Sequence, residues 1–165
     1  MKRNIIVIGM LLLFLALNIF AVEASAKADF SGTWVMDKTR SEMPPDMEQT
    51  MTITQAGNTI NIETKIVTGQ NERTNIVSYI LNSKEIEYKA NRGNIEVNGK
   101  RTAHWSVDGN GFEVKEEETF DTPSGTSVYY VEREWVMAPD GKTVTIQVTA
   151  KGAISQKFKR TFVKK

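Results

Sequence analysis

From Asp29 onward, apolar and polar residues alternate in short runs, each closed by turn-forming residues. Side chains on an extended strand point to opposite faces in turn, so alternation with a period of two predicts half-buried β-strands. The runs predict strands over 31–37, 47–55, 59–67, 72–81, 84–90, 95–107 with a bulge near Gly99, 112–120, 126–137, 142–150 and 154–163. Nearly every glycine after Gly32, and all four prolines, fall between these runs, where chain breakers belong. No helical stripe interrupts the series. Connections such as Ala56-Gly57-Asn58, Asp108-Gly109-Asn110-Gly111 and Ala138-Pro139-Asp140-Gly141 are too short for a parallel crossover, so neighbouring strands pair antiparallel. A long all-β meander either closes on itself or leaves two unpaired edges. The expected fold is therefore an antiparallel up-and-down meander closed into a β-barrel of about eight to ten strands, with a β-sandwich as the other solution.

Separating each run into its two faces gives one that is consistently more apolar. Inward positions are Gly32, Trp34 and Met36; Met51 and Ile53; Ile60, Ile62 and Ile66; Ile86 and Tyr88; Ala103, Trp105 and Val107. They continue with Phe112, Val114 and Phe120; Tyr129, Val131, Trp135 and Met137; Val144, Ile146 and Val148; Phe158 and Phe162. The opposite face carries Thr50, Thr52, Thr54, Glu63, Lys65, Thr102, His104, Ser106, Glu132, Glu134, Thr145, Gln147, Lys157 and Lys159. Four inward positions break the apolar rule: Glu116, Glu118, Arg133 and Arg160. A charge inside must be paired, hydrated or in contact with a ligand. The hairpin around residues 121–125 brings Arg133 opposite Val114 or Glu116, so an internal ion pair is within reach. Two readings stay open: the four charges satisfy one another or reach the barrel mouths, or they line a small-molecule pocket with the nearby aromatic and aliphatic walls.

The first residues follow a different pattern. Lys2 and Arg3 precede an apolar stretch from Ile5 to Leu17, followed by Ala24-Ser25-Ala26, the three-part layout of a secretory signal. Asn18 and Glu23 interrupt the apolar run before it is long enough to span a bilayer. The chain thus divides into a signal peptide over 1–26 and one domain over 27–165, with a periplasmic or secreted destination. The full chain carries 21 Lys and Arg against 20 Asp and Glu. Loss of the leader removes two of the former and one of the latter, which leaves the domain balanced. No basic excess exists to attract nucleic acid. The absence of cysteine excludes disulfides, thiolate metal sites and a lipidated Cys anchor.

Phe30-Ser31-Gly32-Thr33-Trp34 resembles the opening strand of the calycins, the superfamily that joins lipocalins and fatty-acid-binding proteins. The resemblance implies a barrel that carries apolar molecules. It also implies that Gly32 and Trp34 close one end of that barrel, with Arg160 of the last strand laid over the Trp34 ring. A guanidinium on an indole face gains cation-π attraction, which gives the pairing a physical rationale. The likeness covers about ten residues near the start and five near the end, and elsewhere it rests on meander architecture. Fatty-acid-binding proteins insert two helices after the first strand, whereas residues 38–46 hold only a short loop with Pro44-Pro45. Their carboxylate-binding pattern pairs an Arg with a Tyr two residues on, whereas here Arg160 is followed by Phe162, which has no hydroxyl to donate. The chain looks like a minimal bacterial lipocalin-like domain.

Catalytic chemistry finds little support. His104 is the lone imidazole and falls on the polar face, and no Ser lies in a nucleophile elbow. Glu116 and Glu118 share a face, but adjacent positions on one strand do not flank a glycosidic bond from opposite sides. No metal-loop spacing, phosphate loop or cofactor motif is present. The expectation is a secreted, non-enzymatic protein that binds a small hydrophobic or amphiphilic ligand. Tyr88, Trp105, Tyr129 and Trp135 are the candidate apolar walls, and Arg133 with Glu116 and Glu118 would orient a polar end. The alternative is an envelope interaction or inhibitor protein with a filled core. A cavity of roughly 300 Å³ or more separates the first from the second.

Overall fold

A computed structural model describes residues 27–92, 95–122 and 125–165. The expected signal peptide, 1–26, and part of the 121–125 turn lie outside the described residues. Ten strands follow in order: β1 (Gly32–Met36), β2 (Met47–Ala56), β3 (Thr59–Thr68), β4 (Asn71–Ile80), β5 (Ile86–Arg92), β6 (Ile95–Trp105), β7 (Gly111–Thr122), β8 (Gly125–Met137), β9 (Thr143–Lys151) and β10 (Gln156–Lys164). Each starts and stops within two residues of the position that alternation predicts. A short 3-10 turn, Lys38–Arg40, lies in the β1–β2 connection, where the Asp37 carboxylate accepts from the Thr39 and Arg40 amides.

All ten strands join one curled antiparallel sheet in the order β4-β3-β2-β1-β10-β9-β8-β7-β6-β5. The pairing of β1 with β10 brings the two halves of the chain together and makes the barrel. β4 and β5 are left as the two ends of the ladder. The segment between them explains why they do not pair with each other. Leu81 donates its amide to Asn58 O, Ser83 donates to Ala103 O, and Ser83 adopts a left-handed backbone with φ 61°. The connection is thereby bonded to the β2–β3 turn and to β6, which splays β4 away from β5.

One end of the barrel is filled with aromatic rings. Phe30, Trp34, Phe112, Trp135 and Tyr79 are buried there. Phe30 meets Phe112 edge to face at 5.0 Å, and Phe112 stacks on Trp135 at 5.0 Å. Large rings bury much area and gain further from such geometries. The Trp34 indole donates to Phe30 O at 2.8 Å, so its polar atom is satisfied. Residues 27–30 cover this end: Ala28 donates its amide to Gly109 O, and Gln55 donates to Ala28 O while accepting from the Phe30 amide.

Several sequence expectations need correction. The cation over Trp34 is Lys164, at 5.2 Å from the ring centroid, and Arg160 lies over Phe158 at 4.8 Å. The register decides this: Trp34 sits opposite Lys164, which places Arg160 four residues away along β10, opposite Ile146 of β9. The Lys164 stem also crosses Gly32, where a Cβ would stand 2.7 Å from Lys164 Cε. Gly99 makes no bulge, because β6 keeps an unbroken register on both sides. The Tyr88 ring occupies the space of a side chain there, and a Cβ on Gly99 would lie 2.2 Å from it. Val107 is fully exposed rather than inward, since β6 ends at Trp105 and the chain has already turned.

Candidate functional site

Above the aromatic plug the interior changes character. A cavity of about 470 Å³ is walled by Met51, Ile62, Ile66, Ile146 and Phe162, with Trp135 on the plug side. Three guanidiniums, Arg101, Arg133 and Arg160, line it, and among the described residues a single carboxylate, Glu116, joins them. A smaller space of about 230 Å³ adjoins it, lined by Glu118, Tyr129, Val131, Ala150 and Phe158. Arg133, Val148 and Arg160 belong to the walls of both.

Alternation along β7 puts Val114, Glu116 and Glu118 on the inner face, all of them buried. Glu116 anchors the polar network. Arg101 donates through Nε to Oε1 at 2.5 Å, and Arg133 donates to Oε2. Arg133 lies directly opposite Val114, so it reaches Glu116 diagonally across the β7–β8 ladder. Burial acts to raise the Glu116 pKa, but the charges and hydrogen bonds of Arg133 and Arg101 outweigh it and hold the carboxyl below the ordinary glutamate range. The Tyr88 hydroxyl donates to Glu118 Oε1 at 2.9 Å. Burial, followed by the nearby Glu116 charge and the bond to Glu118, pushes the Tyr88 phenol upward, so it stays a neutral donor.

Arg160 differs from the other two guanidiniums. Its Nε donates to the soft Met43 Sδ at 3.3 Å and its plane covers Phe158, with no carboxylate in contact among the described residues. Burial, then repulsion from Arg133 and Arg73, pushes its pKa down to about 10. It is still charged at neutral pH, in a partly buried space whose walls it shares with Arg133 and Glu118. Of the three buried side-chain atoms without a hydrogen-bond partner among the described residues, two, Gln49 Oε1 and Trp135 Nε1, belong to residues that line the cavity and are 3% and 4% exposed. Both atoms are themselves buried and do not face the open space, so Arg160 is the polar group of the cavity wall that has no carboxylate in contact among the described residues.

The structure brings Tyr88, Glu116, Arg133 and Trp135 to the main cavity, and Glu118 and Tyr129 to its smaller neighbour. Trp105 stands elsewhere. It belongs to the plug, where it packs on Phe30 and Phe112, donates to Asn58 Oδ1 at 3.1 Å and carries Lys27 over its ring. The last residue of β6 falls at the closed end, and only tertiary position separates it from Trp135. Sequence reasoning missed Arg101, Tyr79 and Gln49. Arg101 shares the face of Ala103 and was legible by the same alternation. Tyr79 sits in a run, Asn75 to Leu81, whose apolar residues fall on both faces, so alternation assigns no inward side there. Among the described residues no group of His, Asp or Glu has the geometry to hold a metal ion.

No family model and no curated protein matches the chain. Solved structures that are similar to it include a secretory abundant heat soluble (SAHS) protein from Ramazzottius varieornatus, from a dimer sample, at 16% identity and a TM-score of 0.47, covering 86% of this chain and 99% of that one. Another is secretory abundant heat soluble protein 4 from the same organism, at 11% identity and a TM-score of 0.45, covering 82% of this chain and 94% of that one. At such identity and fit, no residue or property of those proteins carries over to this chain.

Proposed function

We propose that this protein is an exported, non-catalytic carrier of a small amphiphile whose apolar body fills the main cavity and whose anionic end meets Arg160. The observation that carries this reading is the pairing of a half-open space of about 470 Å³ with a guanidinium that has no carboxylate partner among the described residues. The space falls within the range of small-molecule sites, roughly 300–1,000 Å³. Affinity would come from apolar area removed from water, at about 25 cal/mol per Å², with the ion pair setting orientation. The alternative, an interaction or inhibitor protein, draws its force from a filled interior, and the cavity weighs against it.

Native mass spectrometry of the protein purified from its own host tests the reading directly. A co-purifying acidic amphiphile, or displacement of bound anilinonaphthalene sulfonate by long-chain carboxylates or sulfates, is the expected result. Uniform failure of lipid, pigment and fatty-acid panels to bind would overturn it.

A further inference from the structure

We propose that small molecules reach the cavity sideways, through the seam between β4 and β5, and that Arg101 is the side chain that spans this seam and limits its width. The inference rests on the carrier reading above and adds the route and its gate. Nine ladders join the ten strands, and any passage through one of them would break a row of backbone hydrogen bonds. The closed end is filled by Phe30, Phe112 and Trp105. Toward the smaller adjoining space, Arg133, held on Glu116, and Arg160 stand in the walls of both spaces. The seam alone carries no ladder among the described residues.

The cavity itself reaches the seam. Residues 75 to 79 of β4 line it without interruption, although successive residues of a strand point to opposite faces. Both sets can border one space only where that space arrives at the strand edge. Tyr88, Lys89 and Ala90 border it from the β5 side. Below this stretch the gap is stitched by the bonds from Leu81 to Asn58 and from Ser83 to Ala103. Above those stitches the bridge is Arg101. Its Nη1 donates to Ser78 O of β4 at 3.2 Å, and its guanidinium covers the rings of Tyr79 on β4 and Tyr88 on β5, at 4.9 and 4.4 Å. Its remaining edge is held by Glu116 of β7. One side chain thus ties four strands across the place where the backbone does not. Ile76 and Ile80, on the outer side of β4, are 73% and 40% exposed and give the rim an apolar surface on which an amphiphile can first adsorb. Swinging Arg101 off Ser78 would widen the gap without breaking any strand pairing.

The chain has no native cysteine, so a Ser78→Cys/Lys89→Cys pair, at exposed positions on the two edges, can be joined by a bismaleimide without side reactions. Stopped-flow exchange of anilinonaphthalene sulfonate is then measured before and after joining. Joining is expected to slow association and dissociation together by about tenfold. In a separate variant, Arg101→Met, association is expected to speed up about fivefold, whereas a residue that only holds the ligand would alter dissociation alone. Bound probe whose exchange rates ignore the cross-link would overturn the portal and leave the carrier reading intact. Absence of probe binding in the unmodified protein would overturn the carrier reading, and the portal with it.

Discussion

The two halves of this barrel are built from the same ten strands and the same alternation, yet they solve the problem of an interior in opposite ways. At the closed end, Phe30, Trp34, Phe112 and Trp135 fill the space with rings, and the Trp34 indole N–H meets a backbone carbonyl. A few residues further along the same strands, Arg101, Glu116, Arg133 and Arg160 face inward around open space. β7 shows the change within one element, from Phe112 through Val114 to Glu116 and Glu118. The plug therefore buries apolar rings, and the upper half holds the Arg101–Glu116–Arg133 network together with Arg160, which has no carboxylate in contact among the described residues. Unpaired buried charge is costly in a fold, so the two halves differ in what they contribute to stability.

Substitutions in each half put this contrast to the test. The largest effect belongs to the plug: Phe112→Ala removes the ring that touches Phe30, Trp105 and Trp135, and should cost about 4 kcal/mol in denaturant unfolding. A loss below about 1 kcal/mol would mean the plug is not the stabilising half. Next comes the one carboxylate that organises the upper half. Glu116→Gln leaves Arg101 and Arg133 without their shared counterion and should cost about 3 kcal/mol at neutral pH.

That variant also tests linkage with pH. Because the folded pKa of Glu116 lies below its unfolded value, its contribution is fully present above the ordinary glutamate range of about 4.3 and fades as pH falls through the folded value. The melting temperature of the unsubstituted protein should fall more steeply below about pH 4.5 than that of Glu116→Gln. Parallel acid limbs would remove Glu116 from the account.

A smaller effect of opposite sign is expected at Arg160. Arg160→Met relieves an unpaired, partly buried cation and should raise stability by about 1 kcal/mol while weakening the binding of an anionic probe about tenfold or more. Stability and affinity that fall together would mean Arg160 serves the fold. The smallest change belongs to Lys164→Ala, which removes the exposed cation over Trp34 and should cost about 0.5 kcal/mol by thermal melting.

Much of this molecule is legible without coordinates. The breaks at Gly57, Gly109 and Gly141 locate the turns, each of them with a left-handed backbone that glycine accepts without strain. Alternation puts Glu116, Glu118, Arg133 and Arg160 inside, and Arg101, on the face of Ala103, follows the same rule; Lys89, which alternates with Tyr88, is the cavity-wall cation it does not reach. Tyr79 is illegible because its run is apolar on both faces, as befits an edge strand whose outer side carries Ile76 and Ile80. Trp105 and Trp135 look equivalent in sequence, each an inward indole on a long strand, and so receive the same expected role. Their positions along the barrel axis separate them into plug and cavity wall.

Short-range chemistry is enough to say where strands begin and end, which neighbours pair, and which side chains face inward, because period-two geometry and turn preferences act over a few residues. The register of β1 on β10, which gives Trp34 to Lys164 and frees Arg160, exists only in the assembled barrel. So do the separation of β4 from β5 and the unfilled upper half. Those outcomes depend on contacts between residues more than a hundred positions apart, such as Met43 with Arg160, and on how much side-chain volume meets at each level of the barrel. Neither quantity is encoded in any short stretch of chain.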